Sequence, residues 1–213
     1  MFYGEQGIGK TTTLKVILSM YDFKPVTIQA GMPSPDELLE AAFEYAENHG
    51  PSLLYLEDLG DLLEGVSLSH VLQLLDGVDG KDGIFIIATA NEIDKIPYNL
   101  TDRPSRFDRP IEFLLPDENM CRGYIRKWYK NTLDDKFVTK LADLMVKKSF
   151  SYAYIKELYF SSVFEAIKND REQPSEEDVN YALNILTKQK TKAKRGHKLS
   201  KSRKLDLTGY AKE

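Results

Sequence analysis

An α/β domain with a parallel sheet flanked by helices, followed by a small all-helical domain, is predicted by three features of the 213-residue chain. The runs "SLLYLED" (52–58) and "GIFIIATAN" (83–91) are continuously apolar, as strands covered on both faces are, instead of alternating in and out. Helical patterns alternate with such runs up to about residue 116, which is the order that builds a parallel sheet. Beyond Pro116 four helical patterns follow one another with no strand between them. The predicted boundaries are an α/β subdomain over 1–116, a helical lid over 117–187 and a basic tail over 188–213.

The elements follow in order. "MFYG" reads as the end of a strand, and "GEQGIGKTTTLKVILSMY" as a glycine-rich turn opening a helix. "PVTIQAG" (25–31) is β-rich and bounded by Pro25 and Gly31. In "SPDELLEAAFEYAENHG" (34–50), Ser34 is the expected N-cap, Pro35 the first helical residue and Glu37 the partner in a capping box. Leu39, Ala42, Phe43 and Ala46 form the apolar face of that helix. "SLSHVLQLLDG" is a helix ending at Gly77, and "PIEFLLPD" (110–117) one more strand. The lid helices are "NMCRGYIRKWYKN", "DKFVTKLADLMVKK", "YAYIKELYFSSVFEAIKND" and "SEEDVNYALNILTKQK". The last opens at Pro174 and Ser175, with Asp178 in the capping-box position.

Composition excludes several classes. No apolar run approaches the roughly 20 residues needed to cross a bilayer, and no secretory-signal pattern opens the chain. Cys121 is the single cysteine, so no intrachain disulfide can form and a reducing, cytoplasmic location is expected. His49, His70 and His197 are scattered, which argues against zinc. The net charge of −4 is divided unevenly: ten Lys or Arg against Asp206 and Glu213 make 188–213 about +8, leaving 1–187 near −12. The tail is expected to be disordered, or helical only where it leaves the preceding helix. It is either a solubilising extension or an arm for nucleic acid or an acidic partner.

The chemistry concentrates in four segments. Gly4, Glu5, Gln6, Gly7, Ile8, Gly9, Lys10 and Thr11 satisfy G-x-x-x-x-G-K-[ST] between strand and helix, the required context for a phosphate-binding P-loop. Glycines let backbone N–H groups turn toward phosphate oxygens, Lys10 reaches the β- and γ-phosphates, and the Thr11 hydroxyl can ligate Mg²⁺. Thr12 continues the same helical N-terminus. "LLYLED" would deliver Glu57 and Asp58 to the carboxyl edge of the sheet, where ligands of such folds bind. Asp61 reads as a cap or surface residue. "IIATAN" ends in Asn91, an amide that could orient a water beside those carboxylates. Arg103, Arg106 and Arg109 are spaced three apart around Pro104, which is either a solvated basic turn or a set of arginines for a neighbour's phosphate site.

The ordered set "GEQGIGKT", "LLYLED", "LLDGVDG", "IIATAN" and "RPSRFDR", followed by a helical lid, resembles the AAA family of AAA+ ATPases over roughly residues 1–187. The resemblance implies a P-loop NTPase fold, ATP and Mg²⁺ as ligands and a hexameric homo-oligomeric ring. By the same resemblance residues 4–11 are Walker A, Glu57 and Asp58 are Walker B, and Asn91 is sensor 1. Thr11 and Glu57 would hold the metal and its hydration shell, Asp58 would polarise the attacking water, and Arg106 with Arg109 would be fingers acting on the adjacent subunit. "SYAYIKEL" (151–158) is similar to a lid segment that lies against nucleotide, with Ala153 the best match. Three departures stand out: the carboxylates run Glu-Asp where most members have Asp-Glu, "MPSP" offers no aromatic pore loop after "TIQAG", and the family's adenine-contacting segment precedes its P-loop whereas this chain opens at "MFYG". The implied function is ATP hydrolysis coupled to remodelling of a protein or macromolecular complex. The alternatives are a nucleotide-dependent switch or scaffold with weak hydrolysis, and a DNA-associated loader using the basic tail.

Overall fold

The computed structural model describes residues 1–78, 82–101, 107 and 109–207, with side chains described through Lys192. The chain divides into two compact units, Met1–Leu114 and Leu115–Glu213.

The first unit is a five-stranded sheet, all parallel, in the order β2-β3-β4-β1-β5. Its strands are β1 (Phe2–Tyr3), β2 (Lys24–Gln29), β3 (Ser52–Glu57), β4 (Ile84–Ala90) and β5 (Ile111–Glu112). Around them lie α1 (Lys10–Met20), α2 (Pro35–Asn48), α3 (Leu59–Leu62), α4 (Leu68–Gly77) and α5 (Tyr98–Thr101). The apolar runs are explained by coverage on both faces. Leu54, Leu56, Ala88 and Ala90 join Leu39, Phe43, Leu59, Val71 and Leu75 in the larger core. Leu53, Tyr55 and Ile87, one step out of phase, pack with Leu14, Ile17 and Leu18 of α1. β3 is central and buried along Ser52–Leu56, and only its last residue, Glu57, is half-buried. The four apolar residues assigned to α2 are all buried.

Two details of this unit differ from expectation. Ser34 stands at the N-cap of α2, but its backbone is left-handed (φ 46°, ψ 58°) and its side chain makes no capping bond. An N-cap hydroxyl reaches the helical N–H groups from an extended backbone, so the capping box with Glu37 does not form. The "PIEFLLPD" strand contracts to Ile111 and Glu112, both exposed at the sheet edge, because its partner β1 is itself only two residues long.

His70 of α4 bridges two carboxylates one turn apart on α2: its Nδ1 lies 2.9 Å from Asp36 and its Nε2 2.9 Å from Glu40. An imidazole can donate from both nitrogens only when protonated. The hydrogen bond to Asp36 chiefly raises the His70 pKa, against partial desolvation, with the charges of Glu40 and Asp36 adding to it. The folded-state pKa therefore exceeds the unfolded value of about 6.5. The stabilisation is full below about pH 6.5 and is lost as pH rises through the folded-state value. Urea unfolding at pH 6 and pH 8.5 should show a loss on the alkaline side that His70→Gln removes.

The second unit packs α6 (Glu118–Tyr129), α7 (Asp135–Lys147), α8 (Tyr152–Lys168) and α9 (Glu176–Leu207) around Cys121, Ile125, Tyr129, Leu141, Met145, Ile155, Leu158, Val179 and Leu183. The Asp178 capping box is present. Asp178 accepts from the Ser175 N–H at 2.8 Å and hydroxyl at 2.7 Å, and pairs bidentately with Arg171. Burial opposes ionisation of Asp178, but the bonds from Arg171 and Ser175 overcome it and hold the pKa at about 2. Helix α9 continues to Leu207, so the basic segment follows the helical alternative of the two expected for it, as a continuation of the preceding helix. Lys, Arg, Gln, Ala and Leu are all good helix formers, and no proline interrupts them. Among the described residues no helix is long and apolar enough to cross a membrane.

Candidate functional site

The site forms at the carboxyl edge of the sheet because β4 lies between β1 and β3. Tyr3 is paired with Ala90, and the Gly4 N–H donates to the Ala90 carbonyl at 3.1 Å, so the loop after β1 leaves directly beside Asn91. On the other side of β4, the end of β3 carries Glu57 and Asp58.

The loop Gly4–Gly9 has left-handed backbone at all three glycines, with φ of 136°, 75° and 108° at Gly4, Gly7 and Gly9. Gly4 is sterically required: a Cβ there would sit 2.3 Å from the Phe113 carbonyl oxygen and 2.7 Å from the Ile8 side chain. At Gly9 a Cβ would meet nothing within 4 Å, so the requirement for glycine there is the positive φ itself. Ile8 is buried and anchors the loop, whereas Glu5, Gln6 and Gly7 are exposed. Gly9 is the N-cap of α1 with no side-chain cap, and the first helical bond is Thr13 N–H to the Gly9 carbonyl at 2.9 Å. The N–H groups of Lys10, Thr11 and Thr12 thus open the helix where a helix N-terminus concentrates positive potential.

Lys10 is buried, 7% exposed, and its ammonium donates to the carbonyls of Gly4 (2.7 Å) and Glu5 (3.0 Å) and to Asn91 Oδ1 (3.0 Å). Asn91 in turn donates from Nδ2 to Asp58 Oδ1 at 2.9 Å. The amide therefore bridges a cation and a carboxylate, which sets its orientation. Burial lowers the Lys10 pKa, and the Asp58 charge partly offsets that.

Asp58 is not a continuation of β3. Its backbone is left-handed (φ 50°, ψ 60°), it forms the N-cap of α3, and its N–H donates to Thr89 Oγ1 at 3.1 Å. Aspartate tolerates that conformation better than most residues, and the sharp turn directs Asp58 to Asn91 while Glu57 stays at the strand end. Asp61 lies exposed in the first turn of α3. Reading along the chain missed Tyr55 and Thr89. Tyr55 is 3% exposed, and its hydroxyl lies 3.2 Å from Thr89 Oγ1 and 3.5 Å from Thr11 Oγ1. Burial raises its pKa; the hydrogen bonds with Thr11 and Thr89 act against that, and neighbouring Glu57 adds to it. The available signal was period two: Tyr55 shares a strand face with Glu57, and Thr89 with Asn91.

The structure thus brings together residues 4–12, Glu57, Asp58 and Asn91. Arg109 is exposed ahead of β5, while Arg103 and Arg106 lie outside the described residues. Ala153 is exposed in the first turn of α8, in the second unit. Among the described residues no group of three His, Cys, Asp or Glu side chains could hold a metal ion. A hydroxyl, one or two carboxylates and a helix N-terminus instead fit magnesium that arrives with phosphate, because that ion keeps most of its water and takes few protein ligands.

The family model described as "ATPase family associated with various cellular activities (AAA)" matches residues 1–115. The chain belongs to the AAA family. Its AAA relatives include the proteasome-activating nucleotidase of Saccharolobus solfataricus, 26% identical over 215 aligned residues that cover 90% of this chain and 53% of that protein. The proteasome-activating nucleotidase of Methanopyrus kandleri is 29% identical over 194 residues, 81% of this chain and 44% of that protein. The ATP-dependent zinc metalloprotease FtsH of Aquifex aeolicus is 26% identical over 211 residues, 88% of this chain and 32% of that protein. The chain spans about half or less of the length of these relatives. The parallel sheet, its flanking helices and the helical C-terminal part are those of an AAA P-loop fold.

Proposed function

We propose that this AAA chain binds ATP with magnesium and hydrolyses it, and that hydrolysis serves to remodel a protein or macromolecular complex. The observation that carries the reading is the chain Lys10–Asn91–Asp58, which links the P-loop cation to the carboxylate at the end of β3 through one amide. Lys10 exchanges its carbonyl partners for β- and γ-phosphate oxygens, and the N–H groups at the start of α1 hold the remaining phosphate charge. Thr11 and Glu57 would hold magnesium with its water, and the ion would supply charge stabilisation at the phosphate oxygens. Asn91 aligns the attacking water and Asp58 accepts its proton. Arg106 and Arg109 complete the site of an adjacent subunit in a ring, a hexamer by family resemblance. The names of the relatives support a protein-directed role, in proteolysis or its activation, over a nucleic-acid one.

Steady-state phosphate release tests hydrolysis. The wild-type rate should exceed that of the Glu57→Ala/Asp58→Ala double variant by at least about 100-fold, the order lost when a group stabilising or accepting transition-state charge is removed. Equal rates together with intact ATP binding would make the chain a nucleotide-dependent switch instead, because aspartate is one methylene shorter than glutamate and a shift of about 1 Å costs roughly 100-fold.

A further inference from the structure

We propose that Tyr55 is a positioning residue that ties the magnesium-binding hydroxyl of Thr11 to the Asp58 turn through Thr89. The inference rests on the ATPase reading of the site. Three hydroxyls form a line across the sheet: Thr11 Oγ1 on α1, Tyr55 Oη on β3 and Thr89 Oγ1 on β4, separated by 3.5 Å and 3.2 Å. The line ends at the Asp58 N–H, which donates to Thr89 Oγ1 at 3.1 Å.

Hydroxyl valence is compatible with a line that runs from Thr11 to Thr89, with the Glu57 carboxylate a second acceptor beside the Tyr55 hydroxyl. Thr89 Oγ1 accepts from the Asp58 N–H and has a second lone pair for the Tyr55 proton. The Tyr55 oxygen is then free to accept from Thr11. A hydroxyl that gives a lone pair to a cation must point its proton elsewhere and becomes a better donor. Hydrogen bonds in such a chain strengthen one another most where water is excluded, which here is the buried Tyr55–Thr89 end, while Thr11 is exposed toward the phosphate loop. The remaining face of β3 shows what is unusual here. Leu53, on the same side as Tyr55, meets α1 with carbon alone, and a phenylalanine at 55 would fill the same space. The phenol oxygen adds nothing to packing, yet it stands between the residue proposed to hold the metal and the turn that aims the proposed base. Occupancy at Thr11 is thereby coupled to the left-handed geometry of Asp58, one strand away.

The test compares Tyr55→Phe and Thr89→Val with the wild-type full chain, using a fluorescent ADP analogue titrated in EDTA and again in excess Mg²⁺. Both variants should bind in EDTA within about twofold of wild type. The gain in affinity on adding Mg²⁺ should shrink about fivefold in each, the value of one ordinary hydrogen bond. The double variant should lose little more than either single one, since the two changes cut the same chain. An undiminished Mg²⁺ gain in Tyr55→Phe overturns the proposal, as does an equal loss of affinity with and without Mg²⁺, which is the mark of a merely structural hydroxyl. Should Thr89→Val not fold, Thr89→Ser, which keeps the oxygen, is expected to retain the wild-type gain, and loss of that gain also counts against the chain. A wild-type chain that binds no nucleotide in either buffer removes the ATPase reading and this inference together, whereas an unchanged Mg²⁺ gain in the variants removes the inference alone.

Discussion

Lys10→Ala is expected to weaken ATP binding roughly 10- to 150-fold and to reduce hydrolysis to background, because hydrogen bonds from a charged donor are each worth about 1.5–3 kcal/mol. The loss has two parts. Removing the ammonium deletes the cation aimed at the phosphate oxygens. It also removes, from the nucleotide-free site, the donor shared by the Gly4 and Glu5 carbonyls and by Asn91 Oδ1, so the loop that receives phosphate is no longer held in place beforehand. Asn91 keeps its bond to Asp58 but is no longer held from the other side. Lys10→Arg should not restore activity: the buried ammonium serves three acceptors that converge on a point, whereas a guanidinium presents a planar fork. Nucleotide titration and phosphate release on the same samples separate the binding loss from the catalytic one. ATP affinity within twofold of wild type would show that Lys10 does not face the phosphates.

Mixing Lys10→Ala with Arg106→Ala is expected to restore part of the ATPase activity that each lacks alone. A trans-acting arginine supplies on the order of 10³ to 10⁵ in rate in related phosphoryl transfer, so an Arg106→Ala ring should be nearly silent. In a mixed ring some intact P-loops face subunits that still carry Arg106, and those sites turn over. Arg109→Ala replaces Arg106→Ala in a parallel experiment, since both arginines fit the family position. The oligomeric state of each mixture is checked by light scattering. A mixed ring of the expected mass with no recovered activity would show that neither arginine acts across the subunit boundary.

Much of the fold was legible because strand burial and helix phase are written in residue order. The continuous apolar runs of β3 and β4 signalled two covered faces, and the structure places α1 against one and the core of α2 and α4 against the other. The face of α2 and the reciprocal cap of Ser175 and Asp178 follow from spacing alone, since helix periodicity is local. Ser34 shows where that logic stops: residue type and spacing suit a cap, but the left-handed backbone at its own position turns the hydroxyl away.

Residue order alone names the chemistry expected of this AAA chain: a glycine-rich phosphate loop with a lysine and a hydroxyl opening a helix, and two acids and an amide following strands. Those assignments need no contact between distant segments, because each motif is read within a few residues. The relation among them belongs to the sheet. Strand order β3-β4-β1 places Asn91 between Lys10 and Asp58, residues 81 and 33 positions away from it, and bends Asp58 out of the strand so that the two acids face different partners. Tyr55 and Thr89 looked like ordinary members of buried strands. Packing β3 against both α1 and β4 turned their hydroxyls into a line, because a polar atom buried between elements is satisfied by whatever the fold brings beside it.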